Sequence, residues 1–445
     1  MADMGAVLYQ QTNKPVSSPH SADSVVPFCL QHLYNVTSSS CYIFATKRLM
    51  IIGVPSETYP GERRVAQVPA VVSILARDGA DLLIEREAGV RAGFTDTAYE
   101  EQGAQIAPDR SRLFSTADAI VQVRAIGANP VSGQADLDLL RTGQVLIGLL
   151  DPLGAPEAAQ QLAETGVTAF ALELVPRISR AQPMDALTAM ATISGYKAVL
   201  LAADALPKMF PMMMTAAGTI SPARTLVVGA GVAGLQAIAT SRRLGAVVQA
   251  YDVRPAVKEQ VESLGARFVE LELATEGSEA STGYAQAMDD DFYRRQRELM
   301  AAVVADSDVV ITTAAVPGSK APVLVTKEMV REMRPGSVIV DLAAETGGNC
   351  ELTRLGETVE DHGVSIIGPV NLPSTVPYDS SSMYARTVAS FLHNLISDGE
   401  FRIDLEDEVI RGALLTYQGE VVNSRVRELL GIQGPALAAT DGSGA

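Results

Sequence analysis

Arg177, Gln182 and Asp185 stand in one short polar segment, Pro176-Arg177-Ile178-Ser179-Arg180-Ala181-Gln182-Pro183-Met184-Asp185. Two cations, an amide and a carboxylate this close together can fix a loop through an Arg177–Asp185 pair. The Gln182 amide is then left to hydrogen-bond a carboxamide or a ribose. The alternative is a solvated loop with an ordinary salt bridge, which contributes little. A second group is Gly229-Ala230-Gly231-Val232-Ala233-Gly234, with Asp252 at the end of the next predicted strand. The first glycine permits a tight turn, the second lets a pyrophosphate approach the backbone, and the third allows close helix–strand packing. The helix that follows offers unpaired N–H groups and a positive dipole end to phosphates. Asp252 lies at about the spacing of roughly 20 residues at which an acidic residue takes the adenosine ribose hydroxyls. Its charge repels a 2′-phosphate and so favours NAD over NADP. Arg254 complicates that preference, because a nearby arginine can accommodate the phosphate.

The histidines are His20, His32, His362 and His393, and none lies in either group. Oxidising an alcohol or an amine requires a positioned general base, most often His or Lys. Hydride transfer between two nicotinamide rings requires none. It needs two C4 atoms aligned at about 3–3.5 Å. The histidine positions favour the second chemistry without deciding it, since Lys or Tyr can also act as a base.

Positioning these groups is the task of an alternating pattern of apolar strands and amphipathic helices that begins at Met50-Ile51-Ile52-Gly53-Val54. Strands are predicted at 51–54, 81–84, 119–123, 145–149 and 168–172, with helices at 66–77 and 156–165 among them. A long helical stretch, 184–209, leads to a second set of strands at 225–228, 247–251, 268–271, 309–312, 338–342 and 365–367. The glycine helix is placed at 235–243 and a returning helix at 381–397. Short buried strands alternating with helices indicate open parallel sheets. The expected fold is α/β, with two Rossmann-like doubly wound parallel-sheet domains, the first discontinuous. The domains are expected at 50–184 plus 375–435 and at 195–370, where six strands match a dinucleotide fold. Residues 1–49 differ in composition and are expected to be a disordered or non-native extension ahead of a start at Met50. The Ala/Gly-rich tail 436–445 is expected to be disordered.

The chain has 445 residues, a length that favours two domains, and 47% are apolar. Its net charge of −17 argues against nucleic acid or an anionic membrane surface as a partner. The cysteines, Cys29, Cys41 and Cys350, follow no disulfide or zinc spacing, and a reducing cytosol is the simplest compartment. No continuous apolar run reads as a membrane-spanning helix. Any membrane function is therefore expected to reside in another chain.

The sequence resembles the NAD(H)-binding alpha subunit of proton-translocating nicotinamide nucleotide transhydrogenases from Met50 to about Val422. The resemblance rests on Gly53-Val54-Pro55-Ser56-Glu57, the 176–185 segment, Met212 to Gly218, Gly229 to Ala237, Val257 to Gly265, Gly283-Tyr284-Ala285, Pro317-Gly318 and Gly347-Gly348-Asn349-Cys350. It implies that Arg177, Gln182 and Asp185 serve catalysis. It further implies that Arg177, Ile178, Ser179, Arg180, Gln182 and Thr188 hold the nicotinamide end of NAD(H). Thr188 stands where that family has serine. Gly229, Gly231, Val232, Gly234, Asp252, Val253, Arg254, Gln296 and Ala315 would complete the nucleotide contacts, Ala315 replacing a common leucine. Gly283 and Tyr284 match a mobile loop that closes over nucleotide. The resemblance also implies a homodimer, an NADP(H)-binding beta subunit and a membrane-spanning subunit as partners, and a place on the inner face of the membrane. Alanine dehydrogenases are relatives with the same layout. They carry a catalytic lysine and histidine where this chain has Arg124 and Asp151. Arg64 matches an arginine present in both branches.

Overall fold

The computed structural model describes residues 49–270, 290–315 and 318–433. The expectations for the N-terminal extension, the C-terminal tail, Gly283 and Tyr284 fall outside the described residues, Leu49 excepted. In chain order the strands begin with β1 (Met50–Val54), β2 (Ala80–Glu85), β3 (Gln105–Ala107), β4 (Ala119–Arg124), β5 (Val145–Leu149) and β6 (Thr168–Ala171). An exposed hairpin follows, β7 (Met213–Thr215) and β8 (Gly218–Ile220). Next come β9 (Arg224–Val228), β10 (Val247–Tyr251), β11 (Arg267–Phe268), β12 (Val309–Thr312), β13 (Val338–Asp341), β14 (Thr358–Asp361) and β15 (Val364–Ile367). The last are β16 (Ile396–Ser397), β17 (Glu400–Phe401), β18 (Leu414–Tyr417) and β19 (Glu420–Val421).

Two large Rossmann-like sheets result. The first has the order β19-β18-β6-β5-β4-β1-β2-β3 and the second β11-β10-β9-β12-β13-β15-β14. Their interiors are parallel, and their central strands are runs of Val, Ile, Leu and Ala buried on both faces, as covered parallel sheets require. The predicted parallel sheets need one amendment, because β14, β18 and β19 pair antiparallel at the edges. These strands and β3 went unpredicted because they are short and, in β14, mostly polar. The predicted helix at 66–77 also starts later. Val68 precedes Pro69 and is held extended (φ −121°, ψ 159°), so the α-helix is Val72–Arg77.

Two long helices join the sheets. Ala186–Ala205 contributes Ala186, Met190 and Ile193 to the core of the first sheet and Ala198, Val199 and Ala202 to that of the second. By length and apolar composition it could cross a membrane, which the sequence reading overlooked. An apolar helix buried between layers has the same composition. The second helix, Pro377–Leu395, returns to the first sheet. There the Tyr384 hydroxyl donates to the Gln122 carbonyl at 2.8 Å, and Phe391 meets Phe170 edge to face at 5.4 Å.

Between the sheets lies a buried polar seam. The Arg64 guanidinium forks onto Glu62, Nε to Oε1 at 2.8 Å and Nη2 to Oε2 at 2.6 Å. Asn371, held at φ +47° where the chain leaves the second sheet, joins both: its Nδ2 donates to Glu62 Oε2 at 2.8 Å and its Oδ1 accepts from Arg64 Nη2 at 3.1 Å. Burial pushes the Glu62 carboxyl up, but the Arg64 hydrogen bonds and charge outweigh it and hold the group at about 2. A pKa lowered in the folded state contributes stability that is fully present above the unfolded value. That stability is lost as pH falls toward the folded one. Glu62→Gln is therefore expected to cost about 3 kcal/mol at pH 7, the scale of an unpaired buried charge. The cost should shrink as pH falls from 4.5 toward 2. Urea unfolding of both proteins at pH 7 and near pH 3 checks this; an equal cost at the two pH values would refute the charged pair.

Candidate functional site

Because β9, β10 and β12 are parallel neighbours, their carboxyl ends open on one edge of the second sheet. Gly229 follows β9, Asp252 follows β10 and Thr313 follows β12. Gly229 has φ +98°, and a Cβ there would come within 2.4 Å of Thr313 Oγ1. A Cβ on Gly234 would lie 1.8 Å from the Gly229 carbonyl oxygen. Gly231 is different: it caps the helix at φ −74°, and a Cβ would meet nothing within 4 Å. The helix Val232–Arg243 starts earlier than predicted, directly at the turn. Its first N–H groups have no intrahelical acceptor.

Asp252 is nearly buried, with 8% of its surface exposed. Its Oδ2 accepts from Ala230 N at 2.7 Å and its Oδ1 from Arg254 N at 2.9 Å. The Arg254 side chain folds back onto the same carboxylate, Nε to Oδ1 and Nη2 to Oδ2, each at 3.0 Å. A carboxylate offers about four acceptor positions, so any further donor must share Asp252 with this guanidinium.

These residues border a cleft with about 1070 Å³ of empty space, open solvent included. Of the residues named from the sequence, Arg177, Thr188, Gly229, Gly231, Val232, Asp252, Val253, Arg254, Gln296 and Ala315 line it. Gly234 sits behind the turn. Ile178, Ser179, Arg180, Gln182 and Asp185 do not line it.

The 176–185 segment is nonetheless attached to the cleft. Asp185 caps the long helix, its Oδ1 accepting from Thr188 N at 2.8 Å and its Oδ2 from the Thr188 hydroxyl at 2.6 Å. Arg177 Nε lies 4.0 Å from Asp185 Oδ2, so the expected pair forms at the outer limit of contact. Ser179–Met184 is a 3-10 turn anchored by buried Ala181 and Met184, with Gln182 exposed on it. Arg180 is turned away, both of its terminal nitrogens at 3.0 Å from Asp407.

Sequence reasoning missed Tyr251, Tyr293, Thr313, Pro322 and Leu324 on the cleft wall. Thr313 was findable, as the residue that ends the strand beside the glycine strand. Gln296 and Tyr251 stand buried together on this wall, and their side chains interact with each other. Burial pushes the Tyr251 hydroxyl up to about 12, so it stays protonated and is no base near neutrality.

Comparison with known proteins agrees with this architecture. The family described as "Alanine dehydrogenase/PNT, N-terminal domain" matches residues 53–194, and "Alanine dehydrogenase/PNT, C-terminal domain" matches 198–424. The chain belongs to the alanine dehydrogenase/PNT family. Within it, the chain is 45% identical over 380 residues to an NAD(P) transhydrogenase subunit alpha chain of Rhodospirillum rubrum, covering 84% of this chain and 98% of the relative. The corresponding chain of Rickettsia prowazekii is 43% identical over 372 residues, covering 84% and 96%. Alanine dehydrogenase of Bacillus subtilis is more distant, 31% identical over 392 residues and covering 86% and 96%. Among solved structures, a transhydrogenase from Sinorhizobium meliloti superposes with a TM-score of 0.74 at 42% identity, covering 84% of this chain and 100% of the other.

The glycine geometry separates folding from binding. Gly234→Ala should lower the thermal midpoint, since its Cβ has no room beside the Gly229 carbonyl. Gly231→Ala should leave the midpoint nearly unchanged yet weaken NADH binding by about ten-fold or more, because the methyl group intrudes where a pyrophosphate meets the backbone. Thermal melts and NADH fluorescence titration check both; unchanged affinity in Gly231→Ala would place the phosphates elsewhere.

Proposed function

We propose that this chain is the NAD(H)-binding catalytic subunit of a proton-translocating NAD(P) transhydrogenase. It would hold NAD(H) while hydride passes directly to or from NADP(H) on a partner subunit. The observation that carries the reading is the character of the cleft wall: among the described lining residues there is no histidine and no lysine. A dehydrogenase of an alcohol or amine needs a positioned general base, most often a residue of one of these types. Exchange between two nicotinamide rings needs only orientation. Similarity to transhydrogenase alpha subunits over 98% of a relative's length supports the same assignment.

The alanine dehydrogenase reading is weaker for a local reason. Arg124, at the place of the lysine, stacks on Tyr59 at 4.4 Å and lies between Glu62 and Glu345, at 3.7 and 3.6 Å. Arginine does not take the place of a lysine as a general base. Asp151, at the place of the histidine, accepts from Gly154 N at 3.3 Å and is not an imidazole.

In this proposal the bound nucleotide supplies the hydride, and the chain supplies position. Asp252 receives the adenosine ribose hydroxyls, the turn 229–234 the pyrophosphate, and Gln296 the donor side of the adenine. Arg177, Thr188 and Asp185 form a polar rim for the nicotinamide end. Gln182, exposed on its turn, orients that end toward the second nucleotide. We further assign 50–184 plus 375–435 and 195–370 as the two domains. The working assembly is a homodimer joined to an NADP(H)-binding beta subunit and a membrane-spanning subunit at the inner face of the membrane. Proton movement belongs to those partners.

NADH and NAD+ should bind in strong preference to NADPH and NADP+, because the Asp252 carboxylate engages the Arg254 fork and opposes a 2′-phosphate. Asp252→Ala should weaken NADH and narrow the preference; tighter NADPH than NADH binding to the unmutated chain in calorimetry would sink the assignment. Gln182→Asn shortens the amide by one methylene. It should leave folding and NADH affinity nearly unchanged but slow transfer, misplacement costing on the order of 10²-fold. Stopped-flow transfer in a mixture with the NADP(H)-binding subunit tests this. Weakened NADH binding at an unchanged rate would make Gln182 a ligand contact only.

A further inference from the structure

The Gly347-Gly348-Asn349-Cys350 motif touches no residue so far assigned to the reaction, yet its asparagine makes contacts that reach the cleft. Asn349 is fully buried, 0% exposed. Its Oδ1 accepts from Ala314 N at 3.0 Å, and its Nδ2 donates both to the Ala314 carbonyl and to the Pro322 carbonyl, each at 2.8 Å. Its own carbonyl accepts from Leu324 N at 2.8 Å and from Val325 N at 3.0 Å. One side chain thus ties together the two ends of the segment 314–322, as a drawstring closes a neck. Ala314, Ala315, Pro322 and Leu324 all line the cleft.

What fixes Asn349 is Asp341, the last residue of β13. Its Oδ2 accepts from Asn349 N at 2.7 Å, Cys350 N at 3.0 Å and the Thr353 hydroxyl at 2.6 Å. Its Oδ1 accepts from the Thr312 hydroxyl at 2.9 Å and from Ala343 N at 3.0 Å. Gly348, at φ +83°, lets the chain wrap this closely, since a Cβ there would lie 2.9 Å from Asp341 Oδ2. Every polar atom of the asparagine side chain is used, and a buried network of this kind specifies one geometry.

The wall so held belongs to one end of the cleft. Ala314 and Leu324 pack in the same apolar cluster as Tyr251, Val253 and Tyr293, beside Asp252. We propose that Asn349 is a positioning residue for nucleotide binding: it holds the wall formed by Ala314, Pro322 and Leu324 and thereby shapes the slot for the adenosine half. This rests on the reading of the cleft as a dinucleotide site.

Asn349→Asp keeps the shape but removes both donors and sets a carboxylate against two carbonyl oxygens. Affinity is measured by NADH fluorescence titration and by displacement with ADP, which carries the adenosine half alone. The dissociation constants for NADH and ADP should rise together, by about ten-fold or more, the scale of a misplaced orienting contact. If the aspartate variant does not fold, Asn349→Ser, which loses reach without adding charge, is judged by the same criterion. Leu113→Ala, a buried truncation in a different apolar cluster from the cleft wall, should lower the thermal midpoint and leave both constants unchanged. Unchanged constants in the Asn349 variants, whatever their midpoints, would overturn the assignment. So would a loss for NADH alone, since the wall would then face the other half. If the unmutated chain binds neither NADH nor ADP, the dinucleotide reading itself fails and this inference with it.

Discussion

The structure depends on a close approach at Gly195. In the middle of the helix Ala186–Ala205, a Cβ on this residue would lie 2.1 Å from the carbonyl oxygen of Ala233, in the first turn of the glycine helix. Only a residue without a side chain lets the two helices meet there. Glycine is unfavourable within a helix by roughly 1 kcal/mol relative to alanine, so the contact is kept against local preference. Its consequence is geometric. The helix that starts at Asp185 is seated directly on the helix that starts at the pyrophosphate turn. The polar 176–185 segment and the glycine turn are therefore set by one rigid joint, without a flexible connection between them.

A second constraint closes the opposite side. The seam of Glu62, Arg64 and Asn371 fixes where the chain leaves the second sheet and turns back to the first. Arg64 also reaches Met190 Sδ at 3.1 Å, on the same long helix. A buried ion pair is weak as a source of stability, because desolvation offsets its attraction, but breaking it is costly. Its value here lies in register: it accepts one arrangement of three separated segments.

Much of this was legible in the sequence, for physical reasons that differ by element. Central strands such as Val309–Thr312 and Val338–Asp341 are buried on both faces, so they read as unbroken apolar runs. The glycine turn was legible because its backbone can be built by few residue types. Edge strands were not, since Gln105–Ala107 and Glu420–Val421 are too short to carry a period. Asp252 was legible from its spacing as the residue after β10, where it lines the cleft, but its engagement by Arg254 depends on a side-chain fold that spacing does not reveal. Asn349 was legible only as one member of a motif. Its contacts with Ala314 and Pro322 join segments that approach only after three strands are in place.

The division of labour within the site follows from burial. Asp252, Gln296 and Asn349 are buried on a fixed wall, so on the proposed function the adenosine end of the cleft is shaped before any ligand arrives. Preorganisation of this kind favours affinity, because little has to be ordered on binding. The 176–185 segment differs: Ala181 and Met184 anchor it from below while Gln182 is left exposed. Exposure is a poor property for a group that must act alone on a bound ring, since water competes for its amide. It suits a group completed by a second surface, which would expel that water and bring the acceptor ring to the same side. On the proposed function, one end of the site is finished within this chain and the reacting end is finished only by its partner.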